Sequence, residues 1–135
     1  MLTDFFQGYN CTVFAYGQTG SGESYTMFGP DSYLDQITSK EFTMQNFPLV
    51  GMIPRVVEEM FKRLIKQEAD FTIRVSHVEV YNEDIYDLLE DNQEFREPLK
   101  IFEERTTNAT QRNKIMIQNL TEILVKTPYD IIQLI

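Results

Sequence analysis

Apolar residues recur at helical spacing in the middle of the chain. They fall at positions i, i+1, i+4, i+5, i+8 and i+9, namely Val56, Val57, Met60, Phe61, Leu64 and Ile65. Such a stripe is typical of an amphipathic helix, and Pro54 stands where a first helical residue can be proline. Glu58 with Lys62 and Glu59 with Arg63 form i, i+4 pairs on the other face. The pattern predicts a core helix with a solvated charged face.

Two runs in the first 81 residues have strand character. Residues 12–16 form a short, mostly apolar, β-prone run and predict a buried strand. Residues 71–81 alternate apolar with polar positions, but the parity shifts between Val75 and Val78. That shift predicts a strand covered on both faces or one that carries a bulge. His77 lies in this run with no second ligand at metal spacing, which favours a packed side chain over a catalyst.

The second half of the chain predicts further short elements. Asn82 is placed to cap a short helix through Leu89, and residues 99–102 read as a strand. Residues 103–125 predict a hairpin with a polar tip. Thr127 and Pro128 predict the start of a last helix that continues to the end of the chain.

Candidate chemistry lies at residues 17–24, Gly-Gln-Thr-Gly-Ser-Gly-Glu-Ser. The pattern Gly-x-x-x-x-Gly-Lys-Ser/Thr cradles phosphates with backbone N–H groups, a lysine and a Mg²⁺-binding hydroxyl. Every element is present except the lysine, which is replaced by Glu23. A predicted strand precedes the loop and a predicted helix follows from Ser24, which is the order that the motif requires. These flanks favour a phosphate loop over a chance surface turn.

A long polar connection follows the loop, over residues 30–51. It is bounded by Pro30 and by Pro48 and Gly51. A connection of this length inside one domain is usually functional or mobile. Composition leaves a solvated insertion without a role equally open.

Composition and charge narrow the class of protein. The chain has 135 residues, enough for one domain, and its net charge of −9 argues against nucleic acid and anionic membranes as partners. No apolar stretch approaches the length of a membrane span. Cys11 is the only cysteine, so an internal disulfide is impossible and a reducing cytoplasmic compartment fits.

Several segments together resemble the kinesin motor domain. They are residues 8–27 around the glycine loop, Gly-Met-Ile-Pro-Arg at 51–55, and Val-Glu-Val-Tyr-Asn-Glu-Asp-Ile-Tyr-Asp-Leu-Leu at 78–89. The third segment is similar to the family's E-I-Y-N-E-x-x-x-D-L-L motif. The order and rough spacing match across essentially all 135 residues, so the resemblance is highly specific. Three features are most similar to the bipolar mitotic kinesins. They are the run Gly-Tyr-Asn-Cys-Thr, residues 47–51 and the long loop at 30–51.

The resemblance implies a fold and a domain plan. The fold is α/β, the P-loop NTPase-like kinesin motor fold with a central mixed sheet and flanking helices, present here in incomplete form. Its parts are a phosphate loop at 17–24, an insertion loop at 30–51 and a hairpin lobe at 103–125. In the bipolar class the insertion loop is an inhibitor-binding loop. The family's switch motifs are expected beyond residue 135, and its adenine-contacting segment before Met1.

Residue roles follow from the same resemblance. Ser24 would bind Mg²⁺ through its hydroxyl. Glu23 and Tyr25 would lie near the nucleotide. The residues that would wrap the phosphates of ATP are Gly17, Gln18, Thr19, Gly20, Ser21 and Gly22. Arg105, Arg112 and Lys114 are candidate contacts to microtubules, although a solvated hairpin tip explains them equally well.

Three hypotheses for function remain open. The chain is part of an ATP-dependent microtubule motor of the cytoplasm and cytoskeleton, including the mitotic spindle, that oligomerises through a coiled coil outside these residues. Alternatively it is a degenerate, non-catalytic kinesin-like binding or structural module, because Glu23 repels phosphate and would weaken or abolish binding of ATP and Mg²⁺, by roughly tenfold or more. An unrelated P-loop NTPase is disfavoured, since no apolar strand ending in Asp supplies its second motif. The kinesin family is a family of microtubule-stimulated ATPases, but this chain alone is expected not to hydrolyse ATP.

Overall fold

The computed structural model describes residues 1–33, 47–68, 70–91, 96–104 and 114–135. Within these ranges the chain forms two compact units. Unit 1 comprises residues 1–72 and 126–133 with Ile135, and unit 2 comprises residues 73–125 with Leu134. Among the described residues, no helix is long and apolar enough to cross a membrane.

Four helices of unit 1 have both ends within the described residues. They are α1 (Leu2–Phe6), α2 (Glu23–Phe28), α3 (Met52–Lys66) and α4 (Pro128–Gln133). The predicted core helix is confirmed as α3, which begins two residues earlier than Pro54. It buries Pro54, Val57 and Phe61, whereas Ile65 at its end is exposed.

The charged face of α3 carries the two predicted ion pairs. Lys62 pairs with Glu58, and Arg63 Nε lies 2.7 Å from Glu59 Oε1. The guanidinium of Arg63 also lies over the ring of Phe6, 5.9 Å from its centroid. This face therefore also holds α1 against the last turn of α3.

The final helix α4 has the predicted start at Thr127 and Pro128. The Thr127 hydroxyl accepts a hydrogen bond from the Asp130 amide at 3.2 Å, and Asp130 Oδ2 accepts one from the Thr127 amide at 2.9 Å. This reciprocal pair is a capping box. The helix ends at Gln133, so the expectation that it continues to the end of the chain was wrong.

Unit 2 contains six strands in its described residues. They are β1 (Ile73–Val75), β2 (Val78–Tyr81), β3 (Asp84–Asp87), β4 (Ile101–Glu104), β5 (Lys114–Ile117) and β6 (Ile123–Val125). They pair as three antiparallel two-stranded sheets, β1 with β6, β2 with β3, and β4 with β5. The central mixed sheet expected from the resemblance does not appear among the described residues.

Three strand-related predictions are corrected. Residues 12–16 form no strand, and Phe14 and Tyr16 are 83% and 94% exposed, because no described strand pairs with this run. The run 71–81 is two strands broken at Ser76 and His77, which accounts for its shift in parity. Residues 103–125 are not one hairpin: β4 pairs with β5, while β6 pairs with β1. The tip of that predicted hairpin, 105–113, lies outside the described residues.

The predicted helix at Asn82–Leu89 is a β-hairpin instead. Strands β2 and β3 pair in the register Tyr81 with Asp84, and Asn82 and Glu83 form the connecting turn. Both turn residues have positive φ, 50° and 71°. Two consecutive left-handed residues are the signature of a type I′ turn, in which asparagine is favoured. Asn82 is therefore a turn residue rather than a helix cap.

Candidate phosphate loop and its surroundings

Residues 17–22 form a tight loop that leads directly into α2. Gly20 and Gly22 have φ of +83° and +96°, in the left-handed region that favours glycine, and Gly22 is the N-cap of α2. The amide of Ser21 donates to the carbonyl of Gln18 at 2.9 Å and closes a turn inside the loop. The predicted order of loop and helix is thus present, although no strand precedes it.

Glu23 is the first residue of α2, and its side chain turns back over the loop. Its carboxylate accepts a hydrogen bond from the hydroxyl of Ser21, with 2.8 Å between Ser21 Oγ and Glu23 Oε2. The backbone amide of Glu23 itself, followed by the Ser21 hydroxyl, holds the pKa of this carboxyl below its ordinary value. The carboxylate is therefore ionised and held by donors of the loop.

Gly17 lies directly beneath these two side chains. A Cβ added at Gly17 would stand 1.9 Å from Ser21 Oγ and 3.5 Å from Glu23 Oε2. Gly17 opens the loop, and Glu23 follows its last residue as the first residue of α2. The Glu23 carboxylate thus reaches across the loop from one end to the other.

The last residues of the 30–51 connection pack closely against α2. The amide of Gly51 donates to the carbonyl of Phe28 at 2.8 Å, and a Cβ on Gly51 would lie 2.4 Å from the backbone of Met27 and Phe28. Arg55 donates from Nε to the Val50 carbonyl at 2.7 Å. These contacts fix the end of the connection beside the helix that follows the phosphate loop.

Arg55 makes a second contact, which sequence reasoning missed. Its Nη2 donates to the carbonyl of Pro48 at 2.8 Å, so the one side chain holds two carbonyls of the connection. Tyr33 and Phe47, on either side of the part of the connection that lies outside the described residues, pack edge to face at 5.2 Å. Both lie against the buried pair Val50 and Ile132. The only sequence signal for Arg55 was its place in the segment Gly-Met-Ile-Pro-Arg.

A second carboxylate of note is Asp87, the last residue of β3. It is only 2% exposed and accepts hydrogen bonds from the amides of Leu89 at 2.8 Å and Thr121 at 2.7 Å. Burial alone would raise the pKa of Asp87, but these bonds and the charge of Arg96 leave it below its ordinary value. Asp87 belonged to a recognised motif segment, yet its role as a link to residue 121 had no sequence signal.

The predicted site residues separate into two groups. Residues 17–25 lie together, since they form one continuous loop and the start of α2, with Ser24 and Tyr25 exposed. Arg105 and Arg112 lie outside the described residues. Lys114 is the first residue of β5, and only its backbone is described. The structure therefore does not test the microtubule contacts predicted from the sequence.

The fit of this loop to Mg²⁺ and a nucleotide is mixed. Glycines at the left-handed positions and an exposed Ser24 at the second residue of α2 suit phosphate and Mg²⁺. The Glu23 carboxylate does not, because an ionised acid lies over the loop where the motif requires a cation. Within the described part of the chain, no group of three or more His, Cys, Asp or Glu residues is arranged to hold a metal ion.

Comparison with known proteins identifies the family. The family model of the kinesin motor domain matches residues 1–135. Kinesin-like protein KIF11-A of Xenopus laevis is 37% identical over 137 residues, which cover 100% of this chain and 12% of the relative. Kinesin-like protein cut7 of Schizosaccharomyces pombe is 36% identical over 135 residues, covering 100% of this chain and 11% of the relative. Kinesin-like protein Klp61F of Drosophila melanogaster is 33% identical over 135 residues, covering 100% and 12%.

The chain spans about an eighth of the length of these relatives. The match nevertheless covers both units of the structure and the phosphate loop. The resemblance that the motif segments indicated is confirmed, and the chain belongs to the kinesin motor domain family.

Proposed function

We propose that this chain is the phosphate-loop part of an ATP-dependent microtubule motor and acts within a longer protein. The observation that carries the proposal is a glycine loop leading into α2 in a member of the kinesin family, with Ser24 at the helix start. ATP binding, microtubule binding and movement would be properties of the longer protein. Its setting would be the cytoskeleton, including the mitotic spindle.

The exposed apolar run at residues 12–16 supports a place in a larger fold. Phe14 and Tyr16 are almost fully solvated and lie directly before the phosphate loop. A β-prone run of this kind is stable when paired and covered on both faces. In the longer protein we expect it to join the central mixed sheet of the family fold.

The microtubule contact is proposed for the predicted hairpin tip. The chain carries a net charge of −9, so an acidic partner such as tubulin requires a local basic patch. Arg105, Arg112 and Lys114 are the basic residues of that segment. Replacing all three with alanine in the longer protein is expected to weaken co-sedimentation with microtubules. Alanine at Lys66, Arg74 and Lys126, three exposed cations elsewhere, serves as the matched control.

Nucleotide binding is tested by restoring the lysine. Glu23→Lys places a cation where the motif requires one, and the affinity for a fluorescent Mg-ATP analogue should rise by roughly tenfold or more over the unchanged chain. Hydrolysis is not expected in either protein. Equal, negligible binding by both would remove the proposed nucleotide role from this loop.

The contact between Glu23 and Ser21 favours a second candidate function. A loop whose Ser21 hydroxyl is taken by its own carboxylate suits a non-catalytic binding or structural module. Such a chain would ignore Mg-ATP. Tight binding of Mg-ATP by the unchanged chain would exclude this candidate.

A further inference from the structure

Three donors of Ser21 and Glu23 are used inside the phosphate loop itself. The Ser21 amide donates to the Gln18 carbonyl at 2.9 Å, and the Ser21 hydroxyl donates to the Glu23 carboxylate at 2.8 Å. The backbone amide of Glu23 stabilises the ionised carboxylate of the same residue. Amides and hydroxyls of this kind bind phosphate oxygens in loops of this motif. In this chain the Gln18 carbonyl takes the first of them, and the Glu23 carboxylate engages the Ser21 hydroxyl and the Glu23 amide.

We propose that Glu23 closes the phosphate loop on itself, its carboxylate lying between Gly17 and the start of α2 as an internal competitor of a phosphate group. The inference rests on the proposed nucleotide role of this loop and adds to it a self-blocking contact. It differs from charge repulsion alone, because a closed loop must first lose its own hydrogen bonds before phosphate can enter.

Two observations distinguish occupation from repulsion at a distance. The carboxylate lies over the loop, since Oε2 lies 3.5 Å from the position that a Gly17 Cβ would take. The hydroxyl of Ser21 lies even closer to that position, at 1.9 Å. The space above the first glycine of the motif is therefore filled by the loop's own side chains.

The contact itself is measured by NMR titration of the Glu23 carboxyl carbon. The hydroxyl of Ser21 stabilises the ionised form, so the pKa of Glu23 should rise in Ser21→Ala relative to the unchanged chain. An unchanged pKa would show that the two side chains do not meet in solution, which would overturn the inference whatever the loop binds.

The effect of the closed loop on phosphate affinity is measured by calorimetry, with inorganic triphosphate in the absence of Mg²⁺. Glu23→Gln removes the charge but keeps an oxygen that can accept from Ser21, whereas Glu23→Ala removes both. A closed loop predicts an affinity gain of about tenfold for alanine and about threefold for glutamine. Repulsion alone predicts equal gains. Glu122→Gln, at an exposed glutamate of unit 2, makes the same change in net charge and should leave the affinity unchanged.

The outcomes separate the inference from the proposed function. A larger gain for alanine than for glutamine, together with the rise in pKa, supports closure. Equal gains overturn closure while the nucleotide role stands. If Glu23→Lys binds neither triphosphate nor Mg-ATP, the nucleotide role fails, and with it the idea that Glu23 competes with a phosphate.

Discussion

The phosphate loop and the end of β3 each contain a carboxylate that accepts hydrogen bonds, but the donors lie at very different separations along the chain. Glu23 accepts from a hydroxyl two residues away, on a solvent-accessible loop. Asp87 is 2% exposed and accepts from the amide of Thr121, which lies 34 positions along the chain. The pKa of the Glu23 carboxyl and that of the Asp87 carboxyl both lie below their ordinary values.

The difference shows that burial and sequence separation, not the type of bond, decide what a carboxylate does. Water can replace the donors of an exposed acid, so losing such a contact changes local chemistry more than stability. Buried amides that lose their acceptor stay unsatisfied, and the whole unit is destabilised. We therefore expect Glu23 to affect what the loop can bind, whereas Asp87 joins distant parts of unit 2.

The largest expected effect is that of Asp87→Ala. It leaves the part-buried amides of Leu89 and Thr121 without their acceptor, and each is expected to cost up to the about 1–3 kcal/mol of a fully buried unsatisfied group. Urea denaturation should show this loss in the free energy of unfolding, and hydrogen exchange should accelerate at both amides. Asp84→Ala, at an exposed residue of the same strand, is the control and should stay near the unchanged protein.

The pH dependence of stability gives the next test. Because the pKa of Asp87 is lowered in the folded state, its contribution is fully present above the ordinary value of 3.8 and is lost as the pH falls through the folded pKa. Asp87→Asn should therefore be less stable than the unchanged chain at neutral pH, and the two free energies should converge in acid. A constant difference down to low pH would show that ionisation of Asp87 does not matter.

Asp130 provides an intermediate case at the start of α4. It accepts from the amides of Lys126 and Thr127, and those bonds hold its pKa below the ordinary value. Loss of a helix cap at a partly exposed position costs ~0.5–1 kcal/mol. Asp130→Ala should therefore lower the free energy of unfolding less than Asp87→Ala does. A double-mutant cycle with Thr127→Ala would measure the coupling of the pair.

The smallest expected effect on stability is that of Glu23→Ala. Its bonds are local and accessible to water, so the midpoint of unfolding should stay within error of the unchanged protein while phosphate affinity changes. A large drop in the midpoint would mean that Glu23 has a structural role like that of Asp87, and the contrast between the two regions would collapse.

Three of the four helices with described bounds began where the sequence predicted, to within two residues. The start of α2, the apolar stripe of α3 and the capping residues of α4 all appear where the pattern placed them, because each depends on residues within a few positions. The strands fared worse. Residues 12–16 pair with no described strand, and Asn82 makes a turn instead of a helix cap. A β-prone run has no structure until a partner strand is present, and its own letters do not name that partner.

The sequence by itself determined the family, the glycine loop and the presence of an acid at position 23. These are properties of residue order and local spacing. Only the tertiary structure decided that β6 pairs with β1, that Asp87 joins Thr121, and that the Glu23 carboxylate turns back over Gly17. The physical reason is that pairing and burial depend on which groups meet in space. For residues far apart in the chain, that is set by the packing of the whole unit.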